Sequence, residues 1–262
     1  SGDRIQDRPL AEIGGKALWT KELDAALAEG TIDFAVHSMK DVETERPATL
    51  RIAAVLPRED VRDVLVGAKS VSAIPAGARV GTSAPRRAAQ MLHARPDLTV
   101  VQFRGNVATR LAKLESGEAD VTLLAAAGLN RLGQNGIGSP LDSETWLPAP
   151  AQGAIGIECL AARSDLCALL DAINDKPSHA AIVAERGLLR GLGGTCHSPI
   201  ALLTTAEGDS LTLRAALFSP DGAERVEATA SFAKDDAAGP AALARTLLDT
   251  APEAIRRHFT GS

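Results

Sequence analysis

Tyrosine is absent from this chain of 262 residues, and aromatic side chains make up only 3% of it. A groove that binds nucleic acid by base stacking needs several aromatic rings, so this composition argues against one. Acidic residues outnumber lysine and arginine, and the formal net charge is −5. This balance argues against general binding to nucleic acid or to a membrane surface, so any basic site must be local.

Cysteine is also scarce. The three cysteines, Cys159, Cys167 and Cys196, form an odd set without CxxC spacing. This pattern is typical of a reducing cytosol and argues against a disulfide framework or a zinc site. Cys159 and Cys167 have apolar neighbours and are expected to be packing residues. No run approaches the roughly 18 apolar residues of a membrane span, and no secretory signal pattern is visible. A cytoplasmic protein without a metal is therefore expected.

What the sequence does contain is a regular alternation of strand-like and helical segments. Helices are predicted over residues 16–28, 85–95, 107–115 and 125–132, and strands over residues 32–36, 50–56, 64–67, 79–81, 98–103 and 120–124. Such alternation favours a largely parallel sheet covered by helices. Thr82 or Ser83 is expected to cap the helix that begins at Pro85.

The pattern changes twice further along the chain. A proline-rich segment, residues 148–153, is expected to return the chain to the first unit, through a strand at 154–158 and a helix at 166–173. From residue 177 a helix, three strands (200–204, 211–218, 225–232) and a final helix (240–258) predict an α+β domain. The predicted domains are residues 1–57 with 153–175, residues 61–149, and residues 177–262. Hinges are expected at residues 57–60 and 150–153.

Polar residues recur at the predicted strand-to-helix turns: Thr82, Ser83, Arg86, Arg87, Arg104, Asn106 and Arg110, with Arg131 at the end of another helix. Arginine in a first helical turn opposes the helix dipole, but an anion there would meet free N–H groups and guanidinium groups. Any one of these arginines could be a solvated surface residue. The whole set indicates a site for carboxylates or phosphates. No glycine-rich nucleotide motif accompanies it.

Two further residues suggest covalent chemistry. Asp41 follows Lys40 in HSMKDV, residues 37–42, where a neighbouring cation would keep it ionised. It could stabilise a developing cation or transfer a proton, or it could simply form a turn. Cys196 lies in LGGTCHSPI, residues 192–200, where a glycine-rich turn would make a thiol accessible. The alternative is a small buried side chain.

Together with AGLNRLG at residues 127–133 and QGAIGIE at 152–158, these segments resemble the porphobilinogen deaminase family along essentially the whole chain. The resemblance implies an α/β fold with two lobes like those of type 2 periplasmic binding proteins, plus a small C-terminal α+β domain. It implies a monomeric transferase of tetrapyrrole and haem biosynthesis. That enzyme joins four porphobilinogen molecules head to tail, with release of ammonia, into the linear tetrapyrrole hydroxymethylbilane.

The resemblance also implies a dipyrromethane cofactor, made from the substrate and held by a thioether to Cys196. The catalytic carboxylate of the family falls on Asp41. The other residues that bind the cofactor fall on Lys40, Thr82, Ser83, Arg86, Arg87, Arg104, Asn106 and Arg131. Those that bind substrate fall on Lys16, Arg110 and Gln152.

The sequence departs from the family pattern in three places. The family usually begins with a strand and an Arg-x-Ser segment that this chain lacks. The cysteine loop reads GGTCHSP rather than GGCxVP, and Ala84-Pro85 replaces Ser-Leu, but neither change removes a reactive group. Two other classes of function remain alternatives. A non-catalytic carboxylate-binding protein would explain the arginines but not Cys196. A cysteine hydrolase would need an oriented base, and none is evident beside His197.

Overall fold

The computed structural model describes residues 18–194 and 198–259. Within these ranges the strands are β1 (Phe34–Ser38), β2 (Leu50–Val55), β3 (Asp63–Val66), β4 (Arg79–Gly81), β5 (Thr99–Val101), β6 (Val121–Ala125), β7 (Ser139–Pro140), β8 (Ile155–Leu160), β9 (Ile200–Glu207), β10 (Ser210–Phe218) and β11 (Arg225–Ala233). The α-helices are α1 (Leu18–Ala28), α2 (Pro85–Ala94), α3 (Val107–Glu115), α4 (Ala126–Arg131), α5 (Ser164–Asp171), α6 (Lys176–Leu192), α7 (Ala238–Thr250) and α8 (Glu253–Arg256). Short 3-10 turns occur at Met39–Asp41 and Val71–Ala73.

The described strands form three sheets, with the orders β1-β8-β2, β5-β4-β6-β3-β7 and β11-β10-β9. Because β8 lies between β1 and β2, the chain leaves the first sheet after β2, builds the second sheet and then returns. The chain therefore crosses twice between two α/β lobes before it enters an antiparallel sheet flanked by α6 and α7. This architecture confirms the predicted α/β class with a C-terminal α+β unit.

The expectation of a largely parallel sheet is wrong for the first lobe and only partly right for the second. Among the described strands, parallel pairing is confined to β4 with β5 and β4 with β6. In contrast, β3 pairs antiparallel with β6 and β7, and both described pairs of the first sheet are antiparallel. Parallel neighbours need a long crossover, usually a helix. The units β4–α2–β5 and β5–α3–β6 supply such crossovers, whereas β8 enters the first sheet directly from the other lobe.

Each unit has its own apolar core. In the second lobe the buried cluster includes Leu65, Val80, Met91 and Leu123. In the C-terminal unit, β10 buries every second residue from Leu211 to Leu217 against α6 and α7, because alternate side chains of a strand point to the same face. Cys159 is fully buried, and its Sγ lies 3.6 Å from that of Cys167. Burial, together with this neighbouring thiol, raises the pKa of Cys159 to about 11, as expected for a packing residue.

Proline explains two local differences from the predicted elements. The final predicted helix is two helices, because Pro252 follows Ala251, which is extended and ends α7. The N-cap of α2 is Ala84, not Thr82 or Ser83, because Pro85 holds the residue before it in an extended conformation. The Thr82 hydroxyl instead accepts a hydrogen bond from the Ala84 N–H at 3.2 Å. No helix within the described ranges is long and apolar enough to cross a membrane.

Candidate active site

The parallel strands of the second lobe bring successive turns to one edge of the sheet. Gly81 at the end of β4 lies opposite Val101 of β5 and Thr122 of β6. A Cβ on Gly81 would lie 2.5 Å from the Phe103 ring, so only glycine lets this ring pack against the backbone of β4. The turn that precedes α2 and the turn that precedes α3 therefore lie side by side, as the sequence predicted.

Arg86 and Arg87 are both buried at the start of α2, and both are paired with Asp63. Arg86 Nη1 donates to Asp63 Oδ2 at 2.5 Å, and Arg87 Nη2 donates to Asp63 Oδ1 at 2.7 Å. Burying a guanidinium group is costly unless a counterion and acceptors compensate. Asp63 supplies the charge. The carbonyl oxygen of Leu147 accepts a further bond from Arg86, and that of Leu123 accepts one from Arg87.

Asp63 is a residue of the site that the sequence analysis missed. It is the first residue of β3 and is fully buried. Burial alone would raise its pKa, but the charges of Arg86 and Arg87 and their hydrogen bonds outweigh this effect and hold the pKa of Asp63 well below its usual range. The available signal was an aspartate opening the apolar run DVLV, where a charged side chain needs a partner.

Gln152, predicted to bind substrate, is buried at the second crossover between the lobes. Its Nε2 donates to Val61 O at 2.7 Å and to Asp63 Oδ1 at 3.0 Å, and its backbone carbonyl oxygen accepts a bond from Arg58 Nε at 2.9 Å. The Gln152 side chain thus links the second crossover to Asp63, and through Asp63 to the arginine pair.

Lys40 and Asp41 lie on the 3-10 turn that follows β1, in the first lobe. Met39 anchors this turn, because its buried side chain packs directly over Gly156. Asp41 is exposed and Lys40 is half-buried. Burial lowers the pKa of Lys40; the charges of Arg87 and Arg86 act in the same direction, while Asp41 and Asp63 oppose them. Lys40 and Asp41 therefore lie close to the arginine pair of the second lobe.

Arg110 joins the same cluster from α3. Burial and the charge of Arg87 lower the pKa of Arg110 to about 10, and Asp41 opposes this shift. Its Nε donates to Gly105 O at 2.9 Å, which fixes the guanidinium group beside the turn. Asn106 caps α3 and accepts bonds from Thr109 N at 2.9 Å and Thr109 Oγ1 at 3.0 Å. Its side-chain oxygen therefore has a structural role, whatever it binds.

The remaining predicted residues differ in their surroundings. Arg104 Nη1 and Arg86 Nε are buried without a hydrogen-bond partner among the residues the structure describes. Arg131 is exposed, and its Nη2 donates to Gly153 O at 2.9 Å in the second crossover. Thr82 is buried and Ser83 is exposed. Lys16 and Cys196 lie outside the described residues.

The chain that follows Asp41 is held by the C-terminal unit. Arg186 of α6 donates from Nη2 to Glu43 O at 2.6 Å and to Thr44 O at 2.9 Å. Thr44 Oγ1 donates to Gly194 O at 3.2 Å. These bonds join the turn that carries Asp41 to the residue two positions before Cys196. Neither Arg186 nor Thr44 was predicted from the sequence to have a role.

The cluster gathers four cations, Lys40, Arg86, Arg87 and Arg110, around two carboxylates, Asp41 and Asp63. This excess of positive charge, with buried N–H groups left over, suits a ligand that carries several carboxylates.

Two family models match the chain. One model matches residues 1–168 and is described as "Porphobilinogen deaminase, dipyromethane cofactor binding domain". The other matches residues 179–250 and is described as "Porphobilinogen deaminase, C-terminal domain".

This chain belongs to the porphobilinogen deaminase family.

Curated relatives agree with this assignment. Porphobilinogen deaminase of Sphingopyxis alaskensis is 57% identical over 99% of this chain and 84% of its own length. Porphobilinogen deaminase of Nitrobacter winogradskyi is 48% identical over 100% of this chain and 84% of its own length. The family comprises the hydroxymethylbilane synthases, transferases of porphyrin biosynthesis, and the chain is an enzyme of this kind.

Comparison with solved structures gives low-scoring matches to periplasmic binding proteins. A putative sulfonate-binding protein from Methylobacillus flagellatus KT is 18% identical, covering 64% of this chain and 52% of its own, with a TM-score of 0.36. A binding protein from Silicibacter pomeroyi in complex with lysine is 20% identical, covering 59% of this chain and 67% of its own, with a TM-score of 0.33. At these scores the likeness adds nothing to the family assignment.

The first family model describes the domain that binds the dipyrromethane cofactor, and the site fits such a group. The cofactor is built from two porphobilinogen units, so it carries several carboxylates. The unpartnered N–H groups of Arg104 and Arg86 are buried donors of the kind that such carboxylates satisfy.

Proposed function

We propose that Asp41 is the catalytic carboxylate of this hydroxymethylbilane synthase. One observation carries the proposal: Asp41 is an exposed carboxylate whose charge acts on both Lys40 of the first lobe and Arg110 of the second. Asp41 therefore lies where the two lobes face each other, in surroundings that are otherwise cationic.

The chemistry asked of Asp41 follows from its charge. Loss of ammonia from porphobilinogen leaves an electron-poor, positively charged substrate. The Asp41 carboxylate stabilises this charge and can accept the proton that the pyrrole ring loses after the new bond forms. The surrounding arginines and Lys40 bind acetate and propionate groups, and so place the reacting carbon against Asp41.

We assign the binding residues as the family resemblance implies. Lys40, Thr82, Ser83, Arg86, Arg87, Arg104, Asn106 and Arg131 would hold the cofactor, and Lys16, Arg110 and Gln152 would bind substrate. The bound dipyrromethane supplies the pyrrole end to which the first substrate molecule is joined. The thioether is assigned to Cys196, because it is the cysteine of the glycine-rich loop.

We also propose that the enzyme acts as a monomer in the cytoplasm, with neither nucleic acid nor membrane as a partner. The net charge of −5 and the odd set of three cysteines support this. The domain boundaries predicted above belong to the same proposal. The return of the chain to the first sheet at β8 supports the discontinuous first domain.

Replacing Asp41 with asparagine tests the proposal. Asp41→Asn keeps the shape of the side chain but removes its charge, so we expect an intact fold and a fall in kcat of about 100-fold or more. The rate of porphobilinogen consumption measures this. Asp33→Asn is the control, because Asp33 pairs with Arg163 on the surface at 3.1 Å, eight residues earlier in the chain. Wild-type turnover by Asp41→Asn would reduce Asp41 to a turn residue.

Intact mass and peptide mapping of the same preparations, made from cells that synthesise porphobilinogen, test the cofactor assignment. We expect an adduct of two linked substrate units on Cys196 and none on Cys159 or Cys167. An adduct on either of the latter, or on no cysteine at all, would contradict the assignment.

A further inference from the structure

Asp63 lies between Arg86 and Arg87, and none of the roles assigned above includes it. We infer that Asp63 is a positioning residue: it stays ionised and in place through the reaction, fixes the two guanidinium groups and sets the charge of the cluster. This inference rests on the proposed function of the cluster. The other possibility is that Asp63 is a placeholder, displaced when a carboxylate of the ligand arrives.

The hydrogen bonds of Asp63 argue for a permanent role. Oδ1 accepts from Arg87 Nη2 at 2.7 Å, Arg87 Nε at 3.2 Å and Gln152 Nε2 at 3.0 Å. Oδ2 accepts from Arg86 Nη1 at 2.5 Å and Trp146 Nε1 at 2.8 Å. Both oxygens are thus fully used, and Asp63 is completely buried. A ligand that displaced it would leave a buried carboxylate without its counterions, which is strongly unfavourable.

The same bonds decide which edges of the arginines remain for a ligand. Arg87 uses Nε and Nη2 for Asp63 and Nη1 for Leu123 O. Arg86 uses Nη1 for Asp63 and Leu147 O, while its Nε has no partner among the described residues. A ligand carboxylate therefore meets the N–H groups that these acceptors leave free. By holding one edge of each guanidinium group, Asp63 fixes the orientation of the free edges.

Asp63 also acts on charge beyond the arginine pair. Its charge opposes the effects of burial and of Arg86 and Arg87 on the pKa of Lys40. The groups that face Lys40 in this cluster are Asp41, Asp63, Arg86 and Arg87. Without Asp63, Asp41 would be the one carboxylate left among these four described groups. Lys40 would then lose its proton at a lower pH.

The test is Asp63→Asn in the enzyme that carries its cofactor, with Asp120→Asn as the matched control. Asp120 precedes β6 in the same sheet and accepts from Arg79 at 3.1 Å on the exposed surface. We expect Asp63→Asn to raise the KM for porphobilinogen about tenfold or more, because two buried guanidinium groups lose their counterion. We also expect the fall of kcat/KM at alkaline pH, which loss of the Lys40 proton would cause, to move to lower pH by about one unit. Asp120→Asn should change neither.

A purely structural role would give a different result. Asp63→Asn would then lower the Tm, while kcat, KM and the alkaline limb of the folded, cofactor-bearing fraction would match the wild type. That result would overturn the inference. It would leave the proposed function standing, provided that Asp41→Asn had lost its turnover. If instead Asp41→Asn kept wild-type turnover, the proposed function itself would fail.

A second variant covers the case in which Asp63→Asn does not fold. Trp146→Phe keeps one aromatic ring in the core and removes the indole N–H that holds Asp63 Oδ2, together with the second ring of the indole. Asp63 keeps its charge, so we expect a rise in KM of about threefold with an unchanged alkaline limb. An unchanged KM in folded Trp146→Phe would overturn the positioning role.

Discussion

At the scale of single residues, burial and neighbouring charges shift the pKa of Lys40. Burial lowers its pKa; Asp41 and Asp63 oppose this effect and Arg87 and Arg86 add to it, and the net shift is downward because burial is the largest cause. A lysine whose pKa is lowered loses its proton at a lower pH than the usual value of about 10.4. If Lys40 binds a carboxylate as an ammonium ion, binding must weaken as pH rises through this lowered pKa.

We therefore expect an alkaline limb in kcat/KM that lies below the ordinary pKa of lysine, and we expect Lys40→Arg to remove it. A guanidinium group keeps its charge throughout the measurable range, although its different shape should raise KM. The pH dependence of kcat/KM for porphobilinogen measures this. Lys21→Arg, on an exposed position of α1, serves as the control. The same limb in wild type and Lys40→Arg would show that another group titrates.

At the scale of elements, a buried ionic network ties α1 and the turn of Asp41 to the first sheet. Glu158 of β8 is fully buried and pairs with His37 Nε2 of β1 at 3.1 Å and with Arg46 Nη2 at 2.8 Å. Arg46 also binds Glu43 at 2.8 Å and Asp24 of α1. Burial alone would raise the pKa of Glu158, but His37 and Arg46 outweigh it and lower this pKa from 4.5 to about 2.

This lowered pKa predicts how stability depends on acid. The network stabilises the fold above the unfolded pKa of Glu158, and this contribution is lost as pH falls from about 4.5 towards 2. The shift corresponds to roughly 3 kcal/mol of unfolding free energy. Glu158→Gln should therefore be clearly less stable than wild type at pH 7, and the difference should shrink as the pH falls.

Urea unfolding at several pH values measures these free energies. Glu118→Gln is the control, since Glu118 pairs with Lys113 at 3.5 Å on the surface and should change stability by less than about 0.5 kcal/mol. A constant difference between Glu158→Gln and wild type across this pH range would contradict the assigned pKa.

At the scale of the whole molecule, the two crossovers between the lobes run side by side. Glu59 N donates to Gly153 O at 3.2 Å, and Gly153 adopts a φ of +82°. A Cβ on Gly153 would overlap the carbonyl oxygen of Glu59. Glu185 of α6 joins both crossovers, because it accepts from Arg58 Nη1 at 2.5 Å and from Ala151 N at 2.6 Å. The C-terminal unit thus holds the segments where hinges were predicted.

We expect Gly153→Ala to destabilise the fold and to slow turnover, because the added methyl group forces the crossovers apart. Gly117→Ala separates the two causes, since Gly117 has a φ of +76° but no atom within 4 Å of its added Cβ. The strained φ alone should cost about 1 kcal/mol in either variant. Gly153→Ala should cost more, with faster hydrogen exchange at residues 57–60 and a lower kcat. Equal unfolding free energies and equal turnover in the two variants would refute a role for the crossover contact.

Much of this molecule follows from local sequence. The predicted bounds of β4 and α3 match the structure, because a turn, a cap and apolar periodicity within a few residues define them. The family could also be identified from short motifs spread in order along the chain, and the family models confirm it. Residue types alone were enough to predict a site rich in arginine and to name Asp41 as a candidate beside Lys40 at a strand end. The catalytic role of Asp41 was implied by the family resemblance and stays a prediction.

Tertiary structure decided the partners of those residues. Arg86 and Arg87 were expected to be open to a ligand, yet Asp63, more than 20 residues earlier, holds both. Gln152 reaches the same carboxylate from 89 residues away. The strand directions of the first sheet also followed from the return of β8 out of the second lobe. Local patterns fix which segments are strands or helices. They do not fix which distant segments meet, because that depends on how whole sheets pack and on which buried charges must find a counterion.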